Sequence, residues 1–359
     1  MGRPLPARLE QALEGVGSRP SLDVLVRERF GSSIRLKKVS SKVVRRRVVR
    51  YGVSTDGDPP RTWSVIGKVY DSPEAGQHAF RILRLLEEAG FSAAAPQQVR
   101  VPRALAYDEK SALLLMEEAG GTSLKRLLKK GLARDEEARA FAEALLKLHG
   151  FPRVIGATFT VADHLRVRCA GLTPALAEEF PAAAPTIERI IATAEREQER
   201  QERWTLCHGD YHPGQVHLDE DTTWILDLDP LHRGDPAYDL GLVFTVLKRL
   251  ESDRPRRWIR VFRDAFVSTY FARIDPQVAA RIPLNEALVY LKRACKRFRY
   301  RDEAGWKNTV QRELEHAGRC LDVMEKSSVP RNLGDVLDSY DLTRPPARFS
   351  RVRPSTSPG

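Results

Sequence analysis

The sequence lacks any run approaching the roughly 20 apolar residues that a helix needs to cross a bilayer, which excludes a membrane-spanning helix. It is poor in cysteine. Cys169, Cys207, Cys295 and Cys320 lie far apart with no CxxC spacing, which excludes a zinc knuckle and a compact disulfide framework and predicts reduced, structural thiols. The opening residues MGRPLP contain no apolar signal core, and Pro6 stands where a myristoylation motif needs Ser or Thr. A cytoplasmic location without membrane association is expected. No internal repeat and no glycine-rich phosphate loop is visible; the nearest stretch is Val39-Ser40-Ser41-Lys42.

What is present is a globular composition, 42% hydrophobic and 30% charged, over a length that accommodates two or three domains or lobes. The net charge of +11 is uneven. Residues 1–116 carry 20 basic against 12 acidic side chains, residues 117–240 carry 15 against 22, and residues 241–359 carry 24 against 14. An acidic centre between basic flanks fits a carboxylate site that needs cations better than it fits one continuous basic face, so no nucleic-acid partner is expected.

The first part of the chain reads as strands with interspersed helix. Ser21 to Phe30 suits a helix, and Arg47 to Val53 and Thr62 to Tyr70 suit two strands joined by the turn-rich STDGDPP. In the second strand Trp63, Val65 and Val69 share one face, and Ile66, Lys68 and Tyr70 share the other. Ser72-Pro73-Glu74 then signals a helix start, with Ala79, Phe80, Leu83 and Leu86 at helical spacing and Gly90 at its end. Ala104 to Tyr107 and Ala112 to Met116 read as further strands. Beyond Gly121 helix formers dominate: Thr122-Ser123 is expected to cap one short helix, and Asp135 to open a longer one. Strands return at Thr205 to Cys207, Gln215 to Leu218 and Thr223 to Leu228. Arg344 to Gly359, rich in Pro, Ser and Arg, is expected to be a disordered tail.

The chemistry concentrates in His208 to Asp239, HGDYHPGQVHLDEDTTWILDLDPLHRGDPAYD. Asp210, Asp227, Asp229, Asp235 and Asp239 occur there with His208 and His212 among short apolar strands. Asp227 follows Trp224-Ile225-Leu226 at a strand end, and Asp210 precedes a turn at Pro213-Gly214. Capping of turns is the competing assignment for Asp235 and Asp239. Carboxylates and an amide around short strands suit phosphoryl transfer, where a protein chiefly positions a hydroxyl and neutralises phosphate through magnesium.

The segment resembles the catalytic and metal loops of the aminoglycoside phosphotransferase family, whose pattern HGDxHxxN, Ile-Asp, GDPxxDL is met by His208-Gly209-Asp210, His212, Gln215, Leu226-Asp227, Gly234-Asp235-Pro236 and Asp239-Leu240. The resemblance implies an α+β, bilobal, protein-kinase-like fold with a small antiparallel β N-lobe and a larger helical C-lobe. Residues 1–116 would form an N-terminal extension and nucleotide-binding lobe, 117–121 a hinge, 122–326 the catalytic and substrate lobe, and 327–359 a C-terminal segment. It makes Asp210 the base for the substrate hydroxyl and Asp227 a magnesium ligand. His208 would brace the loop, Gln215 would stand at the metal position that family members fill with asparagine, and Asp229 would reach the second metal or the substrate. Asp235 and Asp239 would anchor the next helix and loop. Lys68 matches the lysine that pairs with the ATP phosphates, Ile66 would touch the adenine, and Met116-Glu117-Glu118 match the hinge. Leu145 to His149 resembles the helix ending that precedes the catalytic region.

Three features depart from the pattern: Gln215 replaces asparagine, the first-lobe helix has Gln77-His78-Ala79 where a glutamate is usual, and the glycine loop is missing. The implied activity is ATP-dependent, magnesium-dependent transfer to a hydroxyl of a sugar, polyol, amino alcohol or aminoglycoside-like compound. A nucleotide-binding pseudokinase is the alternative that Gln215 motivates. A two-metal hydrolase using His208, Asp210, His212, His217, Asp227 and Asp229 is the other.

Overall fold

The computed structural model describes residues 19–92, 98–152, 155–201, 204–252, 257–301 and 304–326. The extension before residue 19 and the segment after 326, with the basic tail expected there, lie outside the described residues. In chain order the elements are α1 (Arg19–Phe30), β1 (Leu36–Arg45), β2 (Val48–Thr55), β3 (Thr62–Val69), α2 (Pro73–Glu88), β4 (Val99–Arg100), β5 (Ala104–Asp108), β6 (Leu113–Glu117), β7 (Thr122–Ser123), α3 (Leu124–Lys130) and α4 (Asp135–His149). They continue as α5 (Thr173–Glu179), α6 (Ala184–Glu199), β8 (Thr205–Cys207), β9 (Val216–Asp219), β10 (Thr222–Ile225), β11 (His232–Gly234), α7 (Pro236–Ser252), α8 (Arg257–Phe271), α9 (Ile282–Arg299) and α10 (Trp306–Lys326).

Two compact units result. One is drawn from the described residues of 1–132, 143–156 and 206–232, the other from those of 133–142, 157–205 and 233 onward.

The first unit is built on an antiparallel sheet in the order β1-β2-β3-β6-β5. Alternation divides β3 as its sequence predicts: Val65, Gly67 and Val69 are buried, while Ile66 and Lys68 are only partly so. The buried face joins Val49, Tyr51 and Val53 of β2 and Leu113 and Leu115 of β6 to Leu22, Leu25 and Val26 of α1. Gly67 belongs to this packing, because a Cβ there would stand 2.6 Å from the Tyr51 ring. At the edge, β1 exposes Lys37, Lys38, Lys42 and Arg45. Its turn into β2 falls at Arg46-Arg47, so Val39 to Lys42 is strand rather than a loop.

Helix α2 begins as expected: Ser72 accepts from the Ala75 N–H at 3.3 Å and Pro73 opens the first turn. Its buried stripe is Ala79, Ile82, Leu83 and Leu86, with Ile82 in the place expected for Phe80. The cap expected at Thr122-Ser123 is not formed. These residues are β7, and the Ser123 side chain makes no cap hydrogen bond to α3.

A second sheet, in the order β4-β10-β9-β7, carries the hairpin of β9 and β10. Gly121 lets β7 lie beside β9: its φ is +70°, and a Cβ would come within 2.0 Å of the Leu218 carbonyl oxygen. Strand β10 stops at Ile225, which leaves Asp227 two residues beyond it.

The second unit is helical. Leu284, Leu288, Leu291 and Phe298 of α9 are buried with Val310, Leu314 and Leu321 of α10 and Ile187 and Ile190 of α6. Within it Lys248 of α7 donates to Glu286 of α9 at 2.7 Å, and Glu286 is 1% exposed. One helical turn at Val161–Asp163, closed by a Thr160–Asp163 capping box, widens into a π-turn at His164–Arg168. All four cysteines are buried and none is disulfide-bonded. Among the described residues no helix is long and apolar enough to cross a membrane. The architecture is α+β, with an antiparallel N-terminal sheet and a helical C-terminal part.

Candidate active site

The loop between β8 and β9 is organised by its histidines. His208 is fully buried. Its Nε2 lies 2.9 Å from the Leu226 carbonyl, and its Nδ1 accepts from the Asp210 N–H at 3.3 Å. One ring therefore ties the backbone at Asp210 to the residue preceding Asp227. Gly209 turns the chain with φ +76°. At Pro213-Gly214 the Gln215 N–H reaches the His212 carbonyl at 2.8 Å, and the Gly214 N–H donates to His212 Nδ1 at 2.9 Å. From the hairpin's far side the Leu226 N–H bonds the Gln215 carbonyl at 2.8 Å. Asp227 then adopts φ +59°. A non-glycine residue in that region stores strain of order 1–3 kcal/mol, which clusters at functional sites.

These turns bring the side chains together. Lys68 Nζ, on the partly buried face of β3, lies 2.6 Å from Asp227 Oδ1 and 2.8 Å from Asp229 Oδ2. Tyr70, two residues further on, donates to Asp229 Oδ1 at 2.9 Å. Gln215 Nε2 approaches Asp227 Oδ2 at 3.2 Å and Asp210 Oδ2 at 3.5 Å. His212 Nε2 stands 3.8 Å from the same Asp210 oxygen.

Burial alone would lower the Lys68 pKa, but Asp229 and Asp227 more than offset it and hold the ammonium above its ordinary value. Burial, with Asp229 beside it, pushes the Tyr70 hydroxyl up, so it remains a donor. Burial lowers the His212 pKa against the opposing pull of Asp210.

The site is acidic as built. One ammonium pairs with Asp227 and Asp229, and the Gln215 amide links Asp210 to Asp227, so three oxygen-donor carboxylates are set against one ammonium, a surplus that suits a divalent cation. Asp227 and Asp229 are each 38% exposed, so a cation can reach them. Oxygen donors of this kind suit magnesium.

The expected hinge residues lie elsewhere on the same sheet. Ile66 is in register with Met116 and with Arg50. The Glu117 carboxylate is bound by Arg100 at 2.8 Å, and the Glu118 carboxylate by Arg50 at 2.9 Å. They are linked to the carboxylate cluster through β3, along which Ile66 precedes Lys68 by two positions, and through Arg100 of β4, which is in register with Trp224 of β10. Asp235 accepts from the Ala237 N–H at 3.0 Å, capping α7, and is paired with Arg281 at 2.8 Å. Asp239 is fully buried.

The glutamate missing from the first-lobe helix has a physical counterpart here, since the cation of Lys68 takes its partners from the 227–229 segment rather than from α2. The Tyr70 contact was not anticipated, although the alternation of Ile66, Lys68 and Tyr70 had already placed it on the right face. Both nitrogens of His208 and Nδ1 of His212 face backbone partners, which takes these three imidazole nitrogens away from a two-metal hydrolase site.

A sequence model of the phosphotransferase enzyme family matches residues 50–280. No curated protein matches the sequence. Among solved structures, a choline/ethanolamine kinase family protein from Mesorhizobium loti is similar, with TM-score 0.54 and 15% identity over 92% of this chain and 99% of that one. An amicoumacin kinase in complex with AMP-PNP and Ca2+ gives 0.56 and 13% over 83% of this chain and 91% of the other. An ADP-bound aminoglycoside phosphotransferase gives 0.55 and 14% over 83% and 99%. At such identities the likeness establishes a shared, kinase-like fold.

Proposed function

The chain belongs to the phosphotransferase enzyme family, and from that premise we propose that it transfers the γ-phosphoryl group of ATP to a hydroxyl of a small molecule. The observation that carries this reading is the grouping of Lys68, Asp227 and Asp229 with Asp210 through the Gln215 amide. Asp210 accepts the proton of the acceptor hydroxyl. The hydroxyl oxygen then forms its bond to the γ-phosphorus, the bond from that phosphorus to the ADP oxygen breaks, and the proton leaves Asp210 for solvent. Lys68 supplies positive charge to the phosphates. Magnesium, held by Asp227, Asp229 and Gln215, would neutralise phosphate charge when bound. His208 braces the loop that carries the base, and Ile66 with the 116–118 backbone takes the adenine, residues 117–121 serving as the hinge.

The structural relatives include a choline/ethanolamine kinase family protein and an aminoglycoside phosphotransferase. Their names support an amino alcohol or an aminoglycoside-like compound as acceptor, alongside a sugar or polyol. A cytoplasmic setting, where ATP is at hand, belongs to the same proposal.

A nucleotide-binding regulator without turnover is the second reading. It is favoured by Gln215, whose amide nitrogen contacts both carboxylates where the family pattern has asparagine. Measuring ADP formation against a panel of hydroxylated compounds separates the two, since a regulator binds nucleotide and makes no ADP. On a confirmed acceptor, Asp210→Asn is expected to lower turnover by about 10²–10⁴-fold while nucleotide affinity by titration changes little. A variant keeping more than about half of wild-type turnover would remove Asp210 as the base.

A further inference from the structure

His212 takes no part in the phosphoryl transfer itself, yet the catalytic loop is built around its ring. The Gly214 N–H donates to Nδ1 at 2.9 Å, which makes Nδ1 the acceptor and leaves the proton on Nε2. Gly214 has to be glycine for the ring to sit there, because a Cβ would stand 2.7 Å from His212 Cε1 and 2.9 Å from Nδ1. So locked, the ring is 26% exposed and presents Nε2 to Asp210 Oδ2 at 3.8 Å. The Gln215 amide nitrogen converges on that same oxygen from 3.5 Å. Such contacts are often long before substrate binds and shorten in the complex.

We infer that His212 is a positioning residue for the base: its Nε2–H, fixed by Gly214 and aimed at Asp210 Oδ2 from just beyond hydrogen-bond distance, closes on that oxygen when the acceptor is bound and so sets how the carboxylate is turned toward the acceptor hydroxyl. The inference rests on the reading of Asp210 as the base. A carboxylate rotates freely about its terminal bond unless one oxygen is held, and a misplacement of about 1 Å at a reacting group can cost on the order of 10²-fold in rate.

Two substitutions separate this role from simple bracing of the loop. In His212→Asn the amide oxygen can replace Nδ1 as acceptor for Gly214, but no donor reaches the Nε2 position. In His212→Gln the longer amide can place an N–H there. The probes are magnesium-ATP with water or a confirmed hydroxyl compound as acceptor, read as ADP release, and AMP-PNP titration for nucleotide affinity. His212→Gln is expected to stay within about tenfold of wild-type kcat, and His212→Asn to lose roughly 10²-fold, with KM for ATP and AMP-PNP affinity equal in all three. Equal or better turnover by the Asn variant would overturn the inference and leave His212 a loop brace. The imidazole 15N spectrum of the wild type tests the same point without turnover: the Nε2–H tautomer supports it, and the Nδ1–H tautomer overturns it. Wild-type protein that binds AMP-PNP yet releases no ADP with any acceptor would instead sink the kinase reading itself.

Discussion

Lys68 donates to two carboxylates at once, and its protonation is therefore bound to the stability of the first unit. A folded-state pKa above the unfolded value of 10.5 means that the pairing contributes in full below that value and is lost as pH rises through the raised one. Replacing Lys68 by Met should flatten the alkaline decline in stability that begins near pH 10.5 in the wild type, which urea unfolding at stepped pH would show. Beside it, Gln215 tests the metal. A glutamine at this position adds a methylene, and magnesium tolerates poor ligand placement badly. Gln215→Ala is expected to raise the magnesium concentration for half-maximal ADP formation, and Gln215→Asn to retain measurable activity. An unchanged magnesium dependence in the Ala variant would show that the amide is no ligand.

The aspartates were legible in the sequence because seven of them crowd the segment His208 to Asp239 with four histidines. Tyr70 was visible as to face but not as to partner, since the identity of a hydrogen-bond acceptor far along the chain is set by the fold. Elements show the same division. The N-cap at Ser72 and the alternation along β3 are local signals, and both are found where the residues predict them. Strand β7 carries no such signal: two residues become a strand only because Leu218 and His217 lie opposite them. Val39 to Lys42, the stretch nearest to a phosphate loop, is strand for the same reason, because β1 continues through Ser40 and Ser41 by pairing with Gly52 and Tyr51.

Helices α7 and α9 share a feature that sequence could not reveal, the pairing of the half-buried Lys248 with the fully buried Glu286. Burial would lower the Lys248 pKa, but Glu286 holds it up; burial raises the pKa of Glu286 against the pull of Lys248. Removing one partner leaves a charge without compensation. Because Lys248 is partly in solvent, Lys248→Met is expected to cost about 1–3 kcal/mol, and addition of Glu286→Leu to recover most of it. A double-mutant cycle by denaturant unfolding checks the coupling.

At the scale of the molecule, the acidic middle of the sequence contributes three of its 22 carboxylates to one cluster. Asp210, Asp227 and Asp229 come together in the unit that also holds the five-stranded sheet. In the same unit β4 and β7, from much earlier in the chain, are the neighbouring strands of the β9–β10 hairpin. The basic N-terminal flank has a different use. Strand β1 is ten residues long and forms one edge of the sheet, where unsatisfied N–H and C=O groups would otherwise invite a strand from a second copy. Lys37, Lys38, Lys42 and Arg45 stand along that edge, and two such edges repel one another. Threonine at Lys38, Lys42 and Arg45 would leave a neutral ribbon of good strand formers. The variant should self-associate as its concentration rises, and light scattering would register it. Salt should push the wild type a short way in the same direction by screening the edge. The strand that borders the five-stranded sheet thus also governs how crowded a solution of this protein can become before its molecules zip together.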